Sequence, residues 1–126
     1  MTPDWTGLRR AAVHATSRAH SPYSGFPVGA AGALTDGSIL TATNVESASL
    51  VSGVCAETGL VAIAVAGGQA QALVAVAVTD ADGADVSPCG RCRQLLHEIG
   101  GPDLVVNERP MSVWLPDAFG AGGPGR

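Results

Sequence analysis

The sequence predicts an α/β sandwich built on a mixed sheet, and three observations lead there. Segments with helical apolar spacing alternate with short β-forming runs, in the order helix, hairpin, helix, strand, helix, strand. Asp36-Gly37 sits between two of those runs and is a strong hairpin signal. Gly67-Gly68 and Gly100-Gly101-Pro102 each close a helical segment.

The elements follow in order. Thr2 offers a capping hydroxyl and Pro3 a first helical position, and Trp5, Leu8, Ala12, Val13 and Ala19 carry a helix roughly to Ala19. Ser21-Pro22-Tyr23-Ser24-Gly25 breaks it. Val28 to Leu34 and Ile39 to Thr43 read as the two hairpin strands, and a loop carrying Asn44 to Gly53 leads to Cys55. Ala56 to Ala66 reads as a helix whose residues beyond Thr58 are apolar or glycine on every side. A helix without a polar face is buried all round, so it is expected at a subunit interface, beneath a sheet, or both. Leu73 to Val78 is a buried strand, and Asp80-Ala81-Asp82-Gly83 is the turn after it. Gly90 to Ile99 gives another helix, and Leu104 to Val106 and Met111 to Trp114 are expected as the last strands. One domain spanning 1–119 is expected, with 120–126 a flexible Gly-rich tail. There is no internal repeat.

The 126 residues fit one core. Hydrophobic residues make up 46% and charged ones 14%, which excludes a disordered chain. Every basic residue other than histidine is arginine, and the net charge is -4. An acidic chain without a basic stripe is a poor partner for a nucleic-acid polymer and suits a small, uncharged substrate. The apolar stretches Leu60 to Ala66 and Ala72 to Val78 are too short to span a membrane. Met1 to Arg10 lacks an apolar signal region, and three clustered cysteines suit thiolate ligands in a reducing compartment, so a cytoplasmic protein is expected.

The chemistry lies in two short clusters, Cys55-Ala56-Glu57 and Pro88-Cys89-Gly90-Arg91-Cys92-Arg93-Gln94. Each begins where a helix begins, and a helix N-terminus favours anions, so Cys55, Cys89 and Cys92 would ionise more easily there. Cys89 and Cys92 lie three apart on one face and can chelate one ion. Three thiolates leave the fourth zinc position open, the layout of a catalytic site, and Glu57 stands ready to move protons beside it. Taken alone, C-x-x-C also fits a redox pair or two buried small residues. A closed structural zinc needs a fourth ligand, and of His14, His20 and His97 the last falls on a different helical face from Cys92. The added Cys-Ala-Glu favours the open site.

With these residues in view, the sequence resembles the zinc-dependent cytidine deaminases of the small homotetrameric type. The resemblance rests on Pro22 to Ala30, Asn44-Val45-Glu46, Cys55-Ala56-Glu57, Pro88 to Gln94 and Leu115-Pro116-Asp117-Ala118-Phe119, and covers nearly the whole chain. It implies a three-layer α-β-α sandwich with a mixed five-stranded sheet and a homotetramer with shared active sites. It implies Zn²⁺ on Cys55, Cys89 and Cys92, with Glu57 carrying protons in the hydrolytic deamination of cytidine and 2′-deoxycytidine for pyrimidine salvage. It further implies that Asn44 and Glu46 hold the ribose hydroxyls and that Phe26 lines the nucleoside pocket. By the same resemblance the backbone around Ala56 and Ser87 holds the pyrimidine edge, and a neighbouring subunit brings Phe119 over the base.

The sequence departs from the pattern in three places. Many family members have arginine directly after Cys-Ala-Glu, donating to the thiolates; here Thr58 stands there and is expected to withhold that help, with Arg91 as the replacement. Ser47 and Leu50 replace a frequent asparagine and tyrosine, which leaves open a deaminase of a cytosine-bearing antibiotic such as blasticidin S, or of a modified nucleoside. A non-catalytic zinc-stabilised subunit is the third reading, and the intact Glu57 speaks against it. No arginine cluster near Asn44 is present to take a nucleotide phosphate.

Overall fold

The computed structural model describes residues 2–120; the expected tail lies, apart from Gly120, outside them. Helix α1 spans Trp5–Thr16. Asp4, rather than Thr2, is its cap: the carboxylate accepts from the amide of Gly7 at 3.0 Å. The helix also stops short of Ala19. The hydroxyls of Thr16 and Ser17 turn back onto the carbonyls of Val13 and His14, and the amides of Arg18 and Ala19 reach only three residues back. That tightens the chain out of the α-helical repeat.

Strands β1 (Val28–Leu34) and β2 (Ile39–Thr43) form the expected antiparallel hairpin. Gly37 takes φ +88° in its turn, and Asp36 accepts from both the amide and hydroxyl of Ser38. Helix α2 (Ala56–Ala66) is followed by β3 (Leu73–Asp80), helix α3 (Gly90–Gly100) and β4 (Val105–Val106). The sheet order is β2-β1-β3-β4-β5, with β3 and β4 parallel and the other pairs antiparallel. It is the mixed five-stranded sheet that was expected.

The fifth strand is not where the sequence put it. Arg109–Pro110 forms β5, and Met111–Trp114 is a single helical turn, α4. Met111 and Trp114 are both buried while Ser112 and Val113 are exposed. Side chains three apart share a face of a helix but fall on opposite faces of a strand, so burying this pair together requires the helix. The indole N–H of Trp114 then donates to the carbonyl of Val106 at 2.9 Å.

Alternation along β1 and β3 sorts the layers. Ala31, Ala33, Ala75 and Ala77 pack with Leu8 and Ala12 of α1. Val28, Ala30, Leu34, Val76 and Val78 face the other way, onto Leu60 and Val61 of α2 and Leu96 of α3. Small residues on the first face let α1 come close: a Cβ on Gly29 would lie 1.9 Å from the carbonyl oxygen of Ala12. Helix α2 buries Ala56, Glu57, Leu60, Val61 and Ala64, whereas Ala62, Ile63, Val65 and Ala66 are exposed. One face therefore lies beneath the sheet and the opposite face is apolar and open.

Candidate metal centre and active site

Helices α2 and α3 begin side by side, and each starts on a cysteine. Cys55 and Cys89 are the N-cap residues, both in extended conformation, and Cys92 lies in the first turn of α3. Their Sγ atoms lie within 4.8 Å of one another, with Cys55 and Cys89 3.8 Å apart. A tetrahedral zinc with bonds of about 2.3 Å separates its sulfurs by roughly 3.8 Å, so the trio fits that ion. Among the described residues no histidine joins the cluster. The first-turn amides of both helices add favourable potential for thiolates.

Exposure differs among the three thiols: Cys92 is buried, Cys55 half-buried and Cys89 exposed. Burial pushes the Cys92 and Cys55 thiols up from their ordinary value. For Cys89 burial acts in the same direction, but the nearby Cys92 amide, the neighbouring thiols and the Arg91 amide outweigh it, and its pKa falls. Glu57 is 4% exposed, and burial raises its carboxyl above the usual range. A site this crowded with potential anions calls for a cation to hold the thiols deprotonated.

The centre opens into a cavity of about 750 Å³ whose wall includes Asn44, Glu46, Cys55, Glu57, Ser87 and Arg91; Ala56 also borders it. Asn44 clamps the start of β1, accepting from the Val28 amide at 2.9 Å and donating to the Phe26 carbonyl at 3.1 Å. Glu46 accepts from the amides of Tyr23 and Ser24 and from the Ser24 hydroxyl, which anchors its carboxylate beside the 21–25 turn. The Ser24 hydroxyl and amide are the main causes that hold its pKa below the ordinary 4.5.

Phe26 and Phe119 do not border the cavity within this chain. Phe26 is half exposed, and Phe119 is 81% exposed, with its carbonyl accepting from the Gln94 side-chain amide. Arg91 is exposed on the cavity wall, and among the described residues its guanidinium makes no hydrogen bond or ion pair to the sulfurs; only its backbone amide acts on Cys89. Thr58, expected to give no help, stands otherwise: its hydroxyl lies 3.5 Å from Cys92 Sγ. Its partner lies 34 residues away on the neighbouring helix, so no local spacing in the sequence signals the contact. Leu50 and Val51, in a short 3₁₀ turn, line the rim almost fully exposed.

Residues 5–108 match the model of the cytidine and deoxycytidylate deaminase zinc-binding region. The chain belongs to this family. A cytidine deaminase from Mycobacterium tuberculosis is 42% identical over 121 residues, covering 93% of this chain and 90% of that protein. The crystal structure of cytidine deaminase from the same species superposes with a TM-score of 0.89 at 41% identity, over 94% of this chain and 99% of that one. The cytidine deaminase from Mycobacterium leprae gives 0.84 at 43% identity, over 91% and 99%. The three-layer fold is that of these deaminases, and the Cys55, Cys89 and Cys92 cluster suits the zinc from which the family region takes its name.

Proposed function

We propose that this chain is a zinc-dependent hydrolase that deaminates cytidine and 2′-deoxycytidine to uridine and 2′-deoxyuridine. The observation that carries it is a buried carboxylate, Glu57, two residues from a three-thiol cluster at the wall of a nucleoside-sized cavity. A redox or purely structural cysteine site has no use for that carboxylate.

Zinc bound by Cys55, Cys89 and Cys92 would supply Lewis acidity toward a water at its fourth position. Glu57 takes a proton from the attacking water and delivers it to N3 of the cytosine ring, which opens C4 to attack. Glu57 then takes the remaining proton from the new C4 hydroxyl and passes it to the exocyclic amine. The C4–N bond breaks, ammonia leaves and C4 keeps the oxygen. Each step needs the carboxylate to accept and return protons at the same place, which its burial in α2 permits.

Asn44 and Glu46 orient the ribose. Both are pinned by backbone partners yet keep spare capacity: a second hydrogen on the Asn44 amide and further lone pairs on the Glu46 carboxylate. Pre-positioned polar groups of this kind discriminate against substrates lacking the hydroxyls. Ala56 and Ser87 present backbone to the pyrimidine edge. Arg91 adds positive charge at the cavity wall. Phe26 and the strongly exposed Phe119 complete the site in a homotetramer whose subunits share active sites, and the apolar open face of α2 supports such assembly. The proposed reading extends to pyrimidine salvage, which a nucleoside substrate suits, and to the cytoplasm, whose reducing conditions suit three thiolate ligands. No described helix is long and apolar enough to cross a membrane.

The test is the purified zinc form incubated with cytidine, deoxycytidine, CMP, cytosine and blasticidin S, following loss of cytosine absorbance. Turnover of the two nucleosides, abolished in Glu57→Gln with zinc content unchanged, is the expected result. Near-normal activity of Glu57→Gln would remove Glu57 from the mechanism. Turnover of blasticidin S alone would move the substrate to the antibiotic.

A further inference from the structure

Within α2 the Thr58 side chain does something unusual for a helical threonine. Such hydroxyls ordinarily turn back onto a carbonyl three or four residues earlier, as Thr16 does here onto Val13 at 2.6 Å. Thr58 does not. The carbonyl four residues back, Val54, accepts from the Val45 amide, and that of Cys55 accepts from Gly59. Among the described residues the hydroxyl has one hydrogen-bond partner, Cys92 Sγ at 3.5 Å.

We propose that Thr58 is a positioning residue of the metal centre: its hydroxyl donates a hydrogen bond to the Cys92 thiolate and draws off part of the charge on the thiolate trio. The donor assignment follows from valence. A thiolate has lone pairs and no proton, so the hydroxyl hydrogen must point at sulfur. Three thiolates on a dication leave a formal charge of -1, and a dipole aimed at one sulfur lowers electron density where water cannot. Cys92 is fully buried, so no solvent competes for its lone pairs. The Arg91 side chain is exposed and, among the described residues, its guanidinium bonds to no sulfur, so its charge acts through solvent. The hydrogen bond also fixes the Cys92 side chain against α2 from a sequence distance of 34 residues, joining the two helix starts that build the site. This inference rests on the proposed binding of metal by the three cysteines.

The test uses metal-depleted wild type, Thr58→Val and Thr58→Ser, each reloaded with Co²⁺ for spectroscopy and with Zn²⁺ for chelator competition. Wild type should show a thiolate-to-cobalt charge-transfer band. Thr58→Val removes the hydroxyl at nearly constant volume; it should move that band to lower energy and weaken Zn²⁺ binding by about ten-fold or more. In the zinc enzyme kcat should fall with KM little changed, and Thr58→Ser should return band and affinity toward wild type. A band and an affinity unchanged in Thr58→Val, with wild type showing the thiolate band, would overturn the role of Thr58 alone. A wild type without the band would overturn the three-cysteine site and this role with it. Should the valine variant not fold, Thr58→Ala against Thr58→Ser makes the same comparison.

Discussion

Asn107 offers a demanding test of how the site is held. It occupies φ +47° at the end of β4, is 7% exposed, and its side chain does the work of a further strand residue. Its carbonyl oxygen accepts from the Val78 amide at 2.8 Å, and its amide donates to the carbonyls of Val86 at 3.1 Å and Val78 at 3.3 Å. It thereby ties β3 to the segment that runs through Ser87 and Pro88 to Cys89. Replacing it by alanine strands the Val78 N–H and takes the Asn107 donor from the Val86 carbonyl. The Val78 carbonyl keeps the Val86 amide at 2.9 Å. The stranded Val78 N–H is buried and costs about 1–3 kcal/mol; the part-buried Val86 carbonyl adds up to about 1 kcal/mol, and alanine at positive φ about 1 kcal/mol. The sum of roughly 2–5 kcal/mol is a large part of a domain's total stability of about 5–15 kcal/mol. Denaturant unfolding at fixed protein concentration measures it. Asn107→Gly should recover about 1 kcal/mol, because only the backbone strain is relieved. Asn107→Asp keeps the acceptor for Val78 but aims a carboxylate oxygen at the Val86 carbonyl. It should be worse than alanine at neutral pH and improve in acid, where the protonated carboxyl donates again. An alanine variant within about 0.5 kcal/mol of wild type, or an aspartate variant milder than alanine at pH 7, would refute the reasoning.

Gly29→Ala should cost more than about 3 kcal/mol or prevent soluble expression, since its Cβ would meet the backbone oxygen of Ala12 and neither helix nor strand can give way; a wild-type melting temperature would contradict the close contact of α1 and β1. The Glu46 pKa is depressed on folding, so its ionised form stabilises the folded chain above the ordinary 4.5, and this is lost as pH falls through the lower folded value. The stability gap between wild type and Glu46→Gln should accordingly shrink on acidification below 4.5, and a gap independent of pH would rule out the ionic contribution. Ile63→Lys with Val65→Lys should yield a folded chain of lower mass by light scattering, because both side chains stand on the open face of α2; a wild type already monomeric would remove that face as an interface. Arg91→Ala should lower kcat several-fold at unchanged zinc content, and an unaltered rate would leave Arg91 a solvated surface residue.

Where signals were local, the sequence read well. The hairpin followed from Asp36-Gly37, and α2 and α3 ended where paired glycines end them, with Gly68 and Gly101 at positive φ. Their cysteine starts and Glu57 could be located from spacing alone. The error at Met111 to Trp114 arose because a four-residue apolar run has no length in which to display its period. Only the shared burial of Met111 and Trp114 reveals the helix, and that depends on the neighbouring elements. Asn107 was missed for a related reason: its partners are 21 and 29 residues away, brought near by the parallel pairing of β3 and β4. The same holds for Thr58 and Cys92. A motif names the groups on one helix, and what a neighbouring helix aims at them depends on topology.

Seen through charge, these residues explain one another. Cys55, Cys89 and Glu57 on the cavity wall and the buried Cys92 beside them are four groups capable of negative charge, in a chain with no lysine. A guanidinium placed among the sulfurs would counter them strongly, but a buried arginine must itself be fully hydrogen-bonded. In the proposed zinc site this chain would instead spread the task. Two helix N-termini supply partial charge without any side chain, and Thr58 supplies a neutral dipole on the buried side of the cluster. In that proposal Arg91 would add a full charge on the solvent side, where desolvation costs little. The second helix turn can then remain apolar, because α2 needs no polar residue beyond Thr58 to serve the site. That is how an eleven-residue helix supports chemistry at its first turn and still offers an uninterrupted apolar face at its last.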